Sequence, residues 1–587
     1  MRLGAAVALA GLALGLAGAG QAATTPTAPV YDDQGRLVDT PFAPAAGGPR
    51  LTQQRAIALF LADPKVADWL DRYPPKPATA AEFKSAVGNW TVKVWSGEAG
   101  QIGLGTVDDT SGQVEEAWTG PQVAWKMARG GSGSFGGKTL NKPVVWLAFC
   151  AVFLLGLFDW GRPLRLRNLD LLALLSFTVS LRFFNDGDIF ASVPLAYPPL
   201  AWLLGRMVWI GLRGAHERPA RWLWPAWVLA GAAVFLTGFR VGLNVEAQRS
   251  VIDVGYAGVI GAHRIANGEM PYGHMPVQGT LKACGPADAE GEIRERIQTN
   301  GRCESSNDRG DTYGPVSYLA YVPGYLAFGW TGKWDDLPAA HATSLVFDLL
   351  AIVGLALVGL RFGGAWLASA LPFAWAAYPF TQYVSNANTN DAIMPAILIW
   401  GFWLASASWA RGAAVALAGW TKFGALLCAP LWLGYPDGWT WPRARRYALG
   451  FGLATLAAFS ILLLEPEPLH AARVFAERTF GFQLDRESPF SLWDWRQYHA
   501  AGIPDLKLVQ QGLELLLVCF AVAVAFVPRR KGPLELAALT AAILLGFELV
   551  LTHWFYLYIP WFFPFVAVAL FLVRPQPELE PETREPA

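Results

Sequence analysis

Charge, histidine and cysteine are what this sequence has least of. Only 16% of its 587 residues are charged, against 53% apolar and 27 Trp. That is too little charge to solvate a series of soluble domains, so the chain falls in the membrane class. Lys+Arg and Asp+Glu both number 46. With no net charge neither nucleic acid nor an acidic partner is indicated, and the position of each charge along the chain carries the information. The five Cys and seven His show no spacing suited to structural zinc. Cys150, Cys428 and Cys519 fall in apolar runs, where a thiol acts as a small hydrophobe, whereas Cys284 and Cys303 lie in a polar stretch.

Residues 1–23, "MRLGAAVALAGLALGLAGAGQAA", have an early Arg, an apolar centre and small residues at the end, the order found in a secretory signal peptide. An uncleaved anchor is the alternative, and it leaves the next segment on the same outer side. Residues 24–50, rich in Pro, Ala and Gly, read as a tether. From 51 to 128 the pattern is that of a small α+β domain: a helix with Ile57, Leu61, Val66 and Leu70 on one side, then the alternating "WTVKVW" and the turn-flanked "IGLGTVDDTSGQVEEAWTG". The strand, D-x-x-T/S-G turn and strand arrangement at 103–118 resembles a PepSY-like domain. "RGGSGSFGGK" within 129–142 reads as a flexible linker.

Apolar runs follow at 143–159, 169–184, 190–212, 222–242, 339–360, 364–380, 391–409, 447–464, 508–527, 533–552 and 554–573, about eleven segments near the length a bilayer requires. The expected fold is thus an α-helical polytopic membrane protein with a small extracytoplasmic α+β domain. Arg162, Arg165 and Arg167, then Arg213, Arg218 and Arg221, then Arg361, Arg411, "RARR" at 443–446 and "RRK" at 529–531 belong on the cytoplasmic side. They all fall there if 412–436 does not cross. Two half-helices meeting at Trp420, Thr421 and Lys422 satisfy this and place a Lys deep in the protein; a plain crossing helix with a snorkelling Lys is the alternative. The loops 243–338, 381–391 and 465–505 then lie outside, with 574–587 as a cytoplasmic tail. Outside, Cys284 and Cys303 can form a lasting disulfide, worth about 3 kcal/mol for so short a loop.

Just after the run at 222–242, "VIDVGYAGVIGAHRIANGEMPYG" predicts a helix with Asp253, Tyr256, Arg264 and Asn267 on one face. Val254, Gly258, Ala262 and Ile265 lie opposite, so the helix is expected in the membrane interface with its apolar face toward lipid. Asn267-Gly268 and Pro271 end it. Asp253 is open to two readings, a helix-terminal charge or a chemical group.

Several stretches resemble, in order and sidedness, the GT-C class of membrane glycosyltransferases that use polyprenyl-phosphate sugars. They are the D-x-x-Y of Asp253 and Tyr256 leading to G-x-x-P-Y at Tyr272, "TYGPVSYLAYVPGY" at 312–325, "TKFGALLCAP" at 421–430, "AERTFGFQLDRESPFSLWDW" at 476–495 and "THWFYLYIPWFFPF" at 552–565. The resemblance covers roughly 240–570, with 143–242 as an N-terminal addition and 339–573 as the transmembrane core. It implies an inverting transfer to an acceptor hydroxyl with Asp253 as general base. Lys422, Arg478 and Arg486 would meet the phosphate, and Tyr256, Arg264, Tyr272, Tyr313 and His553 would contact substrate. The arginines can instead pair with Glu477, Asp485 or Glu487. Asn386, Asn388, Asn390 and Asp391 can hold sugar hydroxyls or cap a helix. Trp493, Trp495, Trp554 and Tyr556 read mainly as an interfacial belt. The D-x-D of Asp186 and Asp188 in "NDGDIF" is a possible metal motif, although no metal or other cofactor is expected for a monophosphate donor. The expected partners are a polyprenyl-phosphate sugar, an envelope glycan, lipid or protein acceptor, and membrane lipids. A transporter or flippase is the competing class, favoured by the broken helix. A haem protein is disfavoured because every His lies in a loop or at a helix end.

Overall fold

The computed structural model describes residues 30–31, 37–39, 48–85, 87–123, 135–214, 224–248, 250–286, 293–484, 486, 488–494 and 500–572. The signal-peptide segment, most of the tether, the core of the linker, the tail at 574–587, and Asp485, Glu487 and Trp495 lie outside these residues. The chain divides into two compact units, the first formed from Met1–Asp71, Pro75–Trp95 and Gly103–Ala117.

In the first unit a two-stranded ladder, β1 (Val30–Tyr31) and β2 (Leu37–Asp39), precedes helices α1 (Gln53–Leu61) and α2 (Pro64–Leu70). Thr52 caps α1 by accepting from Arg55 N at 3.2 Å, and Asp63 caps α2 by accepting from Lys65 N and Val66 N at 3.0 and 3.2 Å. The antiparallel-paired β3 (Ala78–Lys84) and β4 (Asn89–Trp95) join β5 (Gln101–Asp108) and β6 (Val114–Thr119) in a sheet of order β3-β4-β5-β6. Trp90, Val92 and Val94 alternate into the core. The buried Asp109 accepts from Arg50 N (2.7 Å), Leu51 N (2.9 Å) and Trp90 Nε1 (2.8 Å), tying the incoming chain to the sheet.

The second unit is helical. It begins with α3 (Pro143–Leu157), α4 (Leu166–Asn185), α5 (Ile189–Arg213) and α6 (Ala226–Glu246). Next come α7 (Asp253–Ala266), a hairpin of β7 (Glu295–Ile297) and β8 (Cys303–Ser305), and the short α8 (Pro315–Leu319) and α9 (Val322–Phe328). Then follow α10 (Pro338–Ala377), α11 (Pro379–Ala387), α12 (Ile393–Trp403), α13 (Ser408–Gly419), α14 (Ala429–Leu433), α15 (Trp441–Phe459), α16 (Pro468–Ala476), α17 (Lys507–Phe526), α18 (Pro533–Val550) and α19 (Ile559–Phe571). The two apolar runs at 339–360 and 364–380 form α10, broken at Gly364, whose φ of 73° is open to glycine at little cost.

Among the described residues, six helical stretches are long and apolar enough to cross a membrane: α5, α6, α10, α15 with its 3₁₀ extension to Leu464, α17 and α18. The remaining expected spans are helical but shorter or more polar; α4 carries Arg167, Asp170 and Arg182. A buried ion pair fastens α6 to α10, with Arg240 Nε 3.0 Å from Asp348 Oδ2 and Arg240 Nη2 2.5 Å from Oδ1. Trp375 and Thr381 satisfy further atoms of this pair.

Two features position the site. The segment 411–435 folds back on itself: α13 stops at Trp420, a 3₁₀ turn (Phe423–Cys428) leads into α14, and Arg411 at the start donates to the carbonyls of Trp432 (2.9 Å) and Tyr435 (2.8 Å) at the end. The second feature is α7, which departs from the expected interfacial helix. It is buried on both faces from Val254 to Arg264. A Cβ at Gly255 or Gly258 would lie 2.0 Å from Asn388 O or 2.5 Å from the Tyr321 ring, so its glycines form a seam for protein packing, and the face expected against lipid meets α8, α9 and the 388 turn.

Candidate active site

Asp253 opens the first turn of α7, and its Oδ1 accepts from Val254 N at 2.9 Å. Its side chain is reached by solvent. Burial holds its carboxyl above the ordinary carboxylate range, partly offset by the Val254 N–H, Arg486 and Lys422. Its charged neighbours therefore come from three distant stretches: Arg486, Lys422 and Asp391.

Lys422 sits at the break after α13. Its Nζ is 3.1 Å from Asp391 Oδ1, with side-chain exposures of 7% and 1%. Trp561 Nε1 also donates to that oxygen, at 3.2 Å. Three rings face the ammonium, Tyr313 at 4.4 Å, Trp561 at 5.6 Å and Tyr558 at 5.8 Å, and Tyr558 stacks on Trp561 at 4.2 Å. The first turn of α8 is held to this break by Val316 N donating to Trp420 O (3.1 Å) and Ser317 Oγ to Thr421 O (2.9 Å).

Arg486 lies over the Phe482 ring at 5.6 Å and has no acidic partner among the described residues. His553 Nδ1 and Ser488 Oγ are 2.8 Å apart. Burial first, then Arg486 and Lys422, push the imidazole pKa well below its ordinary value, so it is neutral at physiological pH. Asp253, Tyr313, Asp391, Lys422, Arg486 and His553 are thus linked as one electrostatic cluster.

Other candidates are committed elsewhere. Arg264 forms a two-pronged pair with Glu304 (Nη1–Oε1 3.1 Å, Nη2–Oε2 2.6 Å) and donates to His274 O. Tyr256 donates to Ser305 O (2.8 Å) and packs on Trp334. Tyr272 donates to Tyr313 O at 2.9 Å and so positions that loop. Arg478 grips Asp311 through Nε (2.7 Å) and Nη2 (2.6 Å), while Asp311 also accepts from Gly273 N. Asn388 takes the left-handed cap position after α11 and bonds Asn244 and Ser250. Asn386 donates to Gly136 O. Asp188 caps α5 through Ala191 N, and Asp186 pairs with Arg182 on the surface.

Asn390 is different. Only 1% exposed and next to Asp391, it has neither its amide nitrogen nor its oxygen hydrogen-bonded among the described residues. Tyr558, Trp561 and Ser488 also belong to the site. In the sequence they lie within "THWFYLYIPWFFPF" and "AERTFGFQLDRESPFSLWDW", and the i,i+3 spacing of Tyr558 and Trp561 at the start of α19 is the signal that marks them.

Cys284 and Cys303 are bonded, closing a loop across a sequence separation of 19. Among the described residues no three His, Cys, Asp or Glu side chains gather as a metal-ligand set. Comparison with family models, curated proteins and solved structures gives no match for this chain.

Proposed function

We propose that the chain is a GT-C type glycosyltransferase that moves a sugar from a polyprenyl-phosphate donor to an acceptor hydroxyl. The observation that carries the reading is that one solvent-reached carboxylate, Asp253, lies within electrostatic reach of two cations, Lys422 and Arg486, the three drawn from separate stretches of the chain. Asp253 takes the proton of the acceptor hydroxyl as that oxygen bonds the anomeric carbon and the carbon–phosphate oxygen bond breaks. The leaving lipid phosphate keeps the electron pair, and Arg486 and the remaining N–H groups of Lys422 stabilise its charge. Attack opposite the leaving group inverts the anomeric centre. Asn390, with a free donor and a free acceptor, suits a sugar hydroxyl, and the Tyr558–Trp561 stack offers an apolar face to a sugar ring.

In this reading all about eleven apolar segments cross, 411–435 is re-entrant, and the site opens on the extracytoplasmic face of the cell membrane, where a soluble acceptor meets a donor whose tail stays in lipid. The N-terminal α+β domain, PepSY-like in its hairpin, serves in this reading as an extracytoplasmic accessory that binds the acceptor or regulates access.

The test measures donor binding and sugar transfer on one preparation of Asp253→Asn. Retained binding with transfer reduced roughly 10²- to 10⁴-fold supports a general base; near-normal transfer overturns the assignment. The transporter reading is favoured by the broken helix and its buried Lys422–Asp391 pair. It predicts substrate flux across a proteoliposome without any change in the substrate's covalent structure.

A further inference from the structure

A polar cavity of about 350 Å³ lies between the C-terminal end of α5 and the turn joining α17 to α18. Three cations line it, Arg213, Arg530 and Lys531, against one carboxylate, Glu535. Oε2 of Glu535 accepts from Gly532 N at 2.7 Å. Lys531 is only 3% exposed. Its ammonium donates to Ala525 O (2.9 Å) and Pro528 O (2.7 Å), which leaves one N–H available and no carboxylate paired with it among the described residues. A buried cation held only by carbonyls lacks a counter-charge, and the two exposed arginines stand ready to share one.

The surroundings indicate what brings that counter-charge. Leu212 lines the cavity, and Trp209 on α5 with Phe526 and Val527 at the end of α17 are exposed large apolar side chains beside it. A polar basic cavity thus caps an apolar surface on two helices long and apolar enough to cross a membrane. A free phosphate would use only the cavity, whereas a lipid phosphate uses both.

We propose that Arg213, Arg530 and Lys531 form a binding site for the phosphate of an anionic phospholipid headgroup, with its acyl chains along α5 and α17. The site is separate from the Asp253 site and independent of the chemistry proposed there.

Native mass spectrometry of the full chain in neutral detergent, titrated separately with phosphatidylglycerol and phosphatidylcholine, tests this. The wild type should retain phosphatidylglycerol in preference to phosphatidylcholine. Arg213→Gln with Arg530→Gln, both at exposed positions, should weaken that retention roughly 25-fold, about fivefold for each cation removed. Lys531→Met gives an independent variant, and thermal unfolding without lipid verifies that each protein is folded. Equal retention of phosphatidylglycerol by wild type and the folded variants overturns the site, as does equal retention of the two lipids by wild type. Displacement of bound lipid by inorganic phosphate at matched concentration overturns the lipid assignment in favour of a soluble phosphate.

Discussion

Lys422 and Asp391 meet at 3.1 Å inside the protein, at the point where α13 breaks and beside the 3₁₀ turn that precedes α12. Trp561 donates to the same carboxylate oxygen, so the pair joins three parts of the chain at the candidate site.

Removing one member of a buried pair leaves the other charge uncompensated, at about 3–5 kcal/mol. Lys422→Met should therefore lower the thermal midpoint in detergent markedly, and Asp391→Asn added to it should restore most of the loss. A double variant no more stable than Lys422→Met would show that the two do not act as a pair.

The pH dependence of transfer follows from Asp253. A general base works deprotonated, and burial raises this carboxyl above its ordinary value. The rate should thus fall with decreasing pH at a pH above the ordinary carboxylate value of about 3.9. His553 is held well below its ordinary pKa by burial, Arg486 and Lys422. A pH–rate profile of His553→Gln should keep the acid limb in place; a limb that vanished would assign the titration to the imidazole.

What could be read in the sequence follows physical reasoning that is local in nature. Long apolar runs mark helices because a bilayer demands them, and the helices coincide with those runs. The break at Lys422 was legible from basic residues at both flanks of one apolar run, and the return of Arg411 to Tyr435 O is its structural counterpart. β3, "ATAAEFK", was not legible, since Ala, Glu and Lys are poor strand formers and pairing along β4 decides the matter. The burial of α7 was also missed: period counting made Gly258 part of a lipid face, whereas glycine there lets Tyr321 approach. Arg264 resembled a site residue by its face, yet Glu304, a partner far along the chain, claims it.

The bond between Cys284 and Cys303 restrains the unfolded loop, and cross-links of such span contribute about 3 kcal/mol. The Cys284→Ser, Cys303→Ser variant should have a lower thermal midpoint than the oxidised wild type and the same midpoint as wild type unfolded in reductant. A midpoint unmoved by reductant in wild type would show that this loop does not limit stability.

The last prediction separates folding from binding at Asn390. A buried amide with both polar atoms unbonded costs stability, about 1–3 kcal/mol for each desolvated group left without a partner. A side chain of similar size and no polar atoms removes that cost, so Asn390→Leu should keep or raise the thermal midpoint of the ligand-free protein. If the free donor and acceptor serve a sugar hydroxyl, the same change should weaken donor binding by roughly tenfold or more, since the hydroxyl is then buried against an apolar group. Thermal unfolding without donor and donor titration of the same preparation give both readings. A variant less stable than wild type with unchanged donor affinity would show that Asn390 serves the fold and not the substrate.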